Sequence, residues 1–274
     1  MPEDRRPPGV PARPLGARSP GEVRRPAAAD PRPAGPRPKT ARPVAPRPAG
    51  PRRRLAARLP RPTLPALPWR TLLFWPVALT SAVTVLRLVG ELLRWPEAHF
   101  SRLPGGGLAT VGITWLVPGV GLWIGWTLGR AGERPADAAR AAWQPLGALL
   151  VGGVAAAILG RLAHTGWTAN LLLWAAASAL VAVASVAAWP AAGAALVAYA
   201  VAARGLVVLV MALAIARGLG THYDAVPPGF PAMGRLARFL LLGLLPQATI
   251  WVAFTVAVGL CFAALGRLAA RRAP

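Results

Sequence analysis

Arg204 stands near the middle of an apolar run extending from about Ala191 to Ala216. On insertion scales an Arg at the centre of a membrane helix costs about 2.5–3.5 kcal/mol, so its guanidinium must face other helices or a wet cavity and find partners there. No carboxylate lies at comparable depth in any apolar run. The partners on offer are Tyr199, Asn170, Gln247 and any backbone carbonyls released near Pro118 or Pro246. The chemistry open to such a centre is the binding of an anion or a polar headgroup. Its bland counterpart is an Arg that snorkels, or one held by hydrogen bonds for structure alone.

Two further groups could carry chemistry. His99, His164 and His222, the last beside Asp224, fall in loops expected on one side of the membrane. Neutral imidazoles with a carboxylate are ligands for a divalent metal or an acid–base pair, although no short His or Cys spacing fixes such a geometry. Arg87, Glu91 and Arg94 are spaced by four and three, which puts them on one helical face, where the charges can pair locally.

The sequence contains no HExxH, no P-loop, no Ser-His-Asp pattern, no paired intramembrane carboxylates and no Arg-rich voltage-sensing repeat. The lone cysteine, Cys261, permits no intrachain disulfide and no Cys-based metal motif. No cofactor is expected. The stretch from Gly218 to Arg238, rich in Gly and Pro, reads as a loop of fixed shape, with Tyr223 and Phe230 able to fold back onto the interface.

These residues need elements to hold them, and the apolar runs supply the elements. About twenty apolar residues cross the roughly 30 Å hydrocarbon layer of a bilayer. Six such segments are expected: 71–93, 108–128, 146–163, 168–188, 191–216 and 239–265. Trp69, Trp95, Trp126, Trp143, Trp167 and Trp189 mark many of their ends. The fifth is the weakest, since Arg204 interrupts it and Trp189-Pro190 leaves almost no turn before it. Gly121, Gly125 and Gly129 give the second segment a small face for close helix approach, within the chain or against a second copy, and Ala175, Ala179, Ala184 and Ala188 keep the fourth slim. Pro76, Pro118 and Pro246 should kink the helices that hold them.

Ahead of the segments lies a different polymer. Residues 1 to 70 hold 17 Lys or Arg against 4 Asp or Glu, and account for much of the formal net charge of +22. Pro recurs through them, and the hexamer Arg32 to Arg37 repeats as Arg47 to Arg52. Residues 1–68 are therefore expected to form a disordered cytoplasmic tail of polyproline character, with no fold of its own. Its nearest polyanion is the anionic headgroup layer rather than nucleic acid, so no specific nucleic-acid partner is expected. No apolar h-region precedes about residue 71, which excludes an ordinary cleaved signal peptide there.

Charge bias also sets orientation. With the tail inside, Arg130, Arg134, Arg140, Arg267, Arg271 and Arg272 share its side, and the expectation is two cytoplasmic termini, the C-terminal one being the short basic stretch 269–274. Thirty of the 31 basic residues are Arg, alongside abundant Ala, Gly and Pro, which reads as GC-driven codon bias and a bacterial cytoplasmic membrane. The fold class expected is an all-α integral membrane bundle of about six helices over 69–268. The function expected is non-enzymatic, a transporter-like module or a subunit of a membrane complex, with a homo-oligomer or complex partner. The alternatives are an outer-face or intramembrane enzyme using the His/Asp group, and a scaffold acting through the basic tail.

Overall fold

A computed structural model describes residues 67–164 and 166–270 of the chain, and these form an all-α bundle of six helices. The expected tail, apart from its last two residues, and the last four residues of the basic C-terminus lie outside the described part. The helices are α1 (Trp69–Leu92), α2 (Leu116–Arg130), α3 (Ala138–Leu162), α4 (Trp167–Ala188), α5 (Pro190–Arg217) and α6 (Arg235–Ala270). All but α2 are long and apolar enough to cross a membrane. Large apolar side chains such as Phe74, Trp75, Leu150, Leu180 and Leu209 point outward, whereas Thr80, Thr84, Ser185 and Thr255 are buried. That inversion suits hydrocarbon as the outer solvent, and the chain is a multi-pass membrane protein.

Consecutive helices alternate in direction. One end of the bundle gathers the segments 93–115, 163–164 and 218–234, and the other gathers 131–137, Trp189 and the end of α6. Glu91 touching His222 and Trp167 stacking on Phe230 fix the first end. Gln144 donating to the carbonyl of Ala184 at 2.6 Å fixes the second. We call the first the loop end.

The second expected segment is the one most altered. Residues 108–112 are not helical, a single 3₁₀ turn occupies Ile113–Trp115, and α2 proper has 15 residues, about 22 Å of helix at 1.5 Å per residue. The cause is the Gly105-Gly106-Gly107 turn, all three with positive φ, after which Leu108 is 93% exposed and Gly112 is extended. Pro118 then falls in the first turn of α2, where its missing N–H belongs to the unpaired set anyway, so it makes no kink. The third segment starts earlier than expected, because Asp137 caps α3 by accepting from the amides of Ala139 and Arg140. The fifth is one unbroken helix of 28 residues, with Trp189 as a one-residue joint and Pro190 at its first position.

The small face of α2 is used within the chain. It lies parallel to α6 with the two backbones in contact: a Cβ at Gly125 would meet the carbonyl of Ala263, one at Gly121 the carbonyl of Gly259, and one at Gly266 the carbonyl of Leu122. In lipid such approach is driven by packing, since the apolar solvent supplies no hydrophobic force. The core these helices share with α1 and α5 is built from Leu72, Ile124, Leu128, Trp189, Leu196, Tyr199, Val256 and Leu260.

α6 is not regular. Between the first turn at Arg235–Arg238 and the long α-helical stretch Ile250–Ala270 it widens into a π-helical segment over Phe239–Leu244, passes Pro246, and breaks at Thr249. Wide turns of this kind concentrate at functional sites, and irregular backbone in a membrane is tolerated where it lines a protein cavity.

Gly125→Ala should lower stability in detergent by about 1–3 kcal/mol, because the added methyl has only the backbone of Ala263 to press against. Gly119→Ala, on the open face of the same helix, should instead be neutral or stabilising by about 0.5–1 kcal/mol. Thermal melting of the two variants checks the pair, and equal behaviour would remove the packed Gly face.

Candidate functional site

α1 buries a polar stripe. Thr80, Thr84, Arg87 and Glu91 recur at spacings of four, three and four, and so share the face turned into the bundle. The hydroxyl of Thr80 lies 2.8 Å from that of Tyr199 on α5, and Thr84 donates to its own helix at the carbonyl of Thr80. Arg87 is bonded through all three of its nitrogens. Its Nε donates to Glu91 Oε1 at 2.9 Å, Nη1 to the carbonyl of Val111 at 2.8 Å, and Nη2 to the carbonyls of Gly106 at 3.1 Å and Ser101 at 3.3 Å. Arg94 leaves this face: α1 ends at Leu92, and Arg94 turns out with a φ of 56°. The spacing of four and three holds only while the helix continues.

Glu91, 2% exposed, is the hub of the loop end. Besides Arg87 it accepts from the backbone amide of His222 at 2.9 Å through Oε2, and its Oε1 lies 2.5 Å from the Nδ1 of the same His. The loop therefore docks on α1 through a carboxylate. Tyr223 follows, its ring 3.8 Å from that of His222 and its hydroxyl 3.5 Å from the carbonyl of Thr84. Asp224 turns inward on its own loop, accepting from the amides of Gly220 and Thr221 and from the hydroxyl of Thr221 at 2.7–2.9 Å.

A cavity of about 380 Å³ runs from this loop to the middle of the bundle. Arg87, His222, Tyr223, Asp224 and Arg238 line it at the loop end, and Arg204, Gln247 and Trp251 line it below, with Trp167, Trp174 and Met211 among the apolar walls. Arg204 is 6% exposed and sits 13 residues before the end of α5, about 20 Å along the helix. Its Nη1 approaches Gln247 Oε1 and its Nη2 Thr255 Oγ1, each at 3.5 Å, and its Cζ lies 5.0 Å from the centre of the Trp251 ring. Both hydrogen bonds are at the long limit, and Thr255 already donates to the carbonyl of Trp251 at 2.7 Å. Among the described residues no carboxylate pairs with Arg204 or with Arg238, whose Nε is buried with no hydrogen-bond partner.

The charge of the cavity follows. Arg87 and Glu91 neutralise each other, and Asp224, its oxygens engaged by its own loop, keeps its negative charge at the loop end. Against it stand Arg204 and Arg238, so the lining keeps a positive excess, and Arg204 lies deep in the bundle with no carboxylate paired to it among the described residues. The arrangement can bind an anion, and it presents aromatic and aliphatic walls around that charge.

Of the residues singled out in the sequence, Gln247 contacts Arg204 and Asn170 lines the same cavity. Tyr199, one turn before Arg204 on α5, gives its hydroxyl to Thr80 instead. His222 and Asp224 reach the cavity. His99 and His164 do not join them: His99 bonds Thr110 at 2.6 Å, His164 lies at the α3–α4 junction with its Nδ1 3.1 Å from its own chain at Leu162, and both are exposed. Among the described residues no three His, Cys, Asp or Glu side chains come together as a metal site. Trp251, Thr255 and Arg238 were not singled out. The first two were readable, because Gln247, Trp251 and Thr255 repeat every four residues and so share one helical face.

Burial, helped by the positive charge of Arg87, holds His222 below its ordinary pKa, against the opposing pull of Glu91 and Asp224. Burial likewise pushes the Tyr223 hydroxyl up. The sign for His222 is then fixed. Below about 6.5 the unfolded chain binds a proton that the native state resists, so the stability present above that value is lost as pH falls through the lower native one. Melting in detergent from about pH 8 to 5 should show this fall, and His222→Gln should flatten it; an equally steep fall in the variant would assign the effect elsewhere. Glu91→Ala strands Arg87 and frees the loop, and should cost about 3–5 kcal/mol in the same assay.

Comparison with known proteins gives no match: no family model, no curated protein and no solved structure is similar to this chain.

Proposed function

We propose that this multi-pass membrane protein is a non-catalytic binding module, transporter-like or a subunit of a membrane complex, that accepts an anion or an anionic headgroup at Arg204. One observation carries the reading: a guanidinium in the middle of the bundle, 6% exposed, faces a cavity with no carboxylate partner and only two hydrogen bonds at 3.5 Å. An Arg kept for structure has every reason to be saturated, since an unsatisfied charge in a low-dielectric interior is expensive. The proposed setting is a bacterial cytoplasmic membrane with both termini inside, supported by the 17 Lys or Arg among residues 1 to 70. That polybasic stretch would hold the cytoplasmic leaflet through its anionic headgroups.

Two measurements on Arg204→Leu separate binding from structure. A structural Arg would leave the variant less stable. A binding Arg leaves the unliganded variant as stable as the native protein or more so, since removing the charge relieves an insertion cost on the order of 3 kcal/mol. Inorganic phosphate, against chloride at equal ionic strength, should raise the melting temperature of the native protein by mass action and do nothing for Arg204→Leu. A native protein indifferent to phosphate, or a variant that responds equally, would end the anion reading.

A further inference from the structure

The cavity at Arg204 has a neighbour. A second chamber of about 370 Å³ lies between α3, α4 and α6, walled by Leu149, Gly152, Gly153, Ala177, Val181 and Phe254. Thr114, Trp174, Ile250 and Trp251 line both chambers, so the two are adjacent and share one wall. Their chemistry is opposite. The first is lined by Arg87, Arg204, Arg238 and Asp224, and the second carries no ionisable side chain, its only hydroxyls being Ser178 and the shared Thr114. Arg204 stands at the junction, with its guanidinium over the ring of the shared Trp251.

A free inorganic anion would use only the first chamber. An anion attached to a hydrocarbon chain needs more, because a headgroup drawn to Arg204 sits deep in the bundle and its chain must have somewhere to go. The chain gains no hydrophobic energy by leaving the bilayer for the slot, since both are apolar. What the slot contributes is shape and a place next to the charge.

We propose that the ligand of this site is an anionic lipid, its phosphate or carboxylate held by Arg204 and one hydrocarbon chain lying in the slot between α3, α4 and α6. This rests on the anion reading of Arg204 given above. Charge complementarity selects the headgroup, and the shared wall of Thr114, Trp174, Ile250 and Trp251 selects a ligand with both parts.

The experiment is a thermal shift of the full chain in a neutral detergent with three probes: phosphatidic acid in mixed micelles, glycerol phosphate as the chain-free headgroup, and phosphatidylcholine as the chain with a neutral head. The native protein should respond to phosphatidic acid at a concentration at least about tenfold below that for glycerol phosphate, and not to phosphatidylcholine. Arg204→Leu should lose both responses. Gly153→Leu and Ala177→Leu fill the slot. At Gly153 an added Cβ meets only Trp174, at 3.9 Å, so the first steps of the new side chain have room. Each should lose the advantage of the lipid while keeping the response to glycerol phosphate, which also certifies that the variant is folded. A lipid advantage that survives both fillings would overturn the chain slot and leave the anion site standing. Equal response to phosphatidylcholine would overturn the headgroup assignment, and a native protein silent to both phosphates would overturn this proposal together with the reading beneath it.

Discussion

Hydrocarbon offers no hydrogen bonds, so every polar group this chain places within the bilayer has to be satisfied by the chain itself. The stripe on α1 is the most complete answer to that constraint. Thr84 bonds its own helix, Thr80 meets Tyr199, and Arg87 and Glu91 share a charge. Glu91 still has acceptor capacity after Arg87, and His222 fills it twice, by amide and by ring. A loop far along the sequence is thereby tied to the first helix. The position of Tyr223 and the loop-end wall of the cavity depend on that tie.

The same constraint explains why the cavity lies where it does. α2 and the C-terminal half of α6 touch backbone to backbone through Gly121, Gly125, Gly259 and Gly266, which leaves no room between them. The N-terminal half of α6 does the reverse. Its π-helical turns, Pro246 and the break at Thr249 prevent close ridge-to-groove contact, and the space that results faces α4 and α5. One helix therefore closes the bundle at one end and opens it at the other. Gln247, within the irregular stretch, reaches toward Arg204 from this opening.

Much of this was legible in residue types. Apolar runs, several of them with Trp at an end, located α1, α4, α5 and most of α6, because burial in lipid imposes one requirement on every outward position. The register of α2 was not legible from hydropathy. Leu108 and Val111 are as apolar as a helix demands, and only the three positive-φ glycines before them divert the chain. Arg140 looked like a loop charge but occupies the first turn of α3, where the Asp137 cap outweighs its polarity. Arg204 and Gln247 were readable as a pair of rare polar residues at depth. The part played by Glu91 was not, since its second partner, His222, is 131 residues away and no local spacing predicts it.

Two buried arginines in one bundle give the sharpest contrast. Arg87 makes four hydrogen bonds between 2.8 and 3.3 Å, one of them to a carboxylate, and the Gly105-Gly106-Gly107 turn is shaped to bring a carbonyl to it; a side chain at Gly106 would collide with Nη2. Charge-assisted bonds of that length are the ones that offset desolvation. Arg204 is no more exposed, yet it has two contacts at 3.5 Å, both to neutral oxygens. One buried guanidinium is thus held by four shorter bonds, one of them to a carboxylate, and the other by two long ones and an aromatic ring, on the wall of an open cavity. On the proposed reading, a group bringing its own negative charge would supply the short bonds that Arg204 does not make, and the apolar chamber beyond Trp251 would take the chain attached to it.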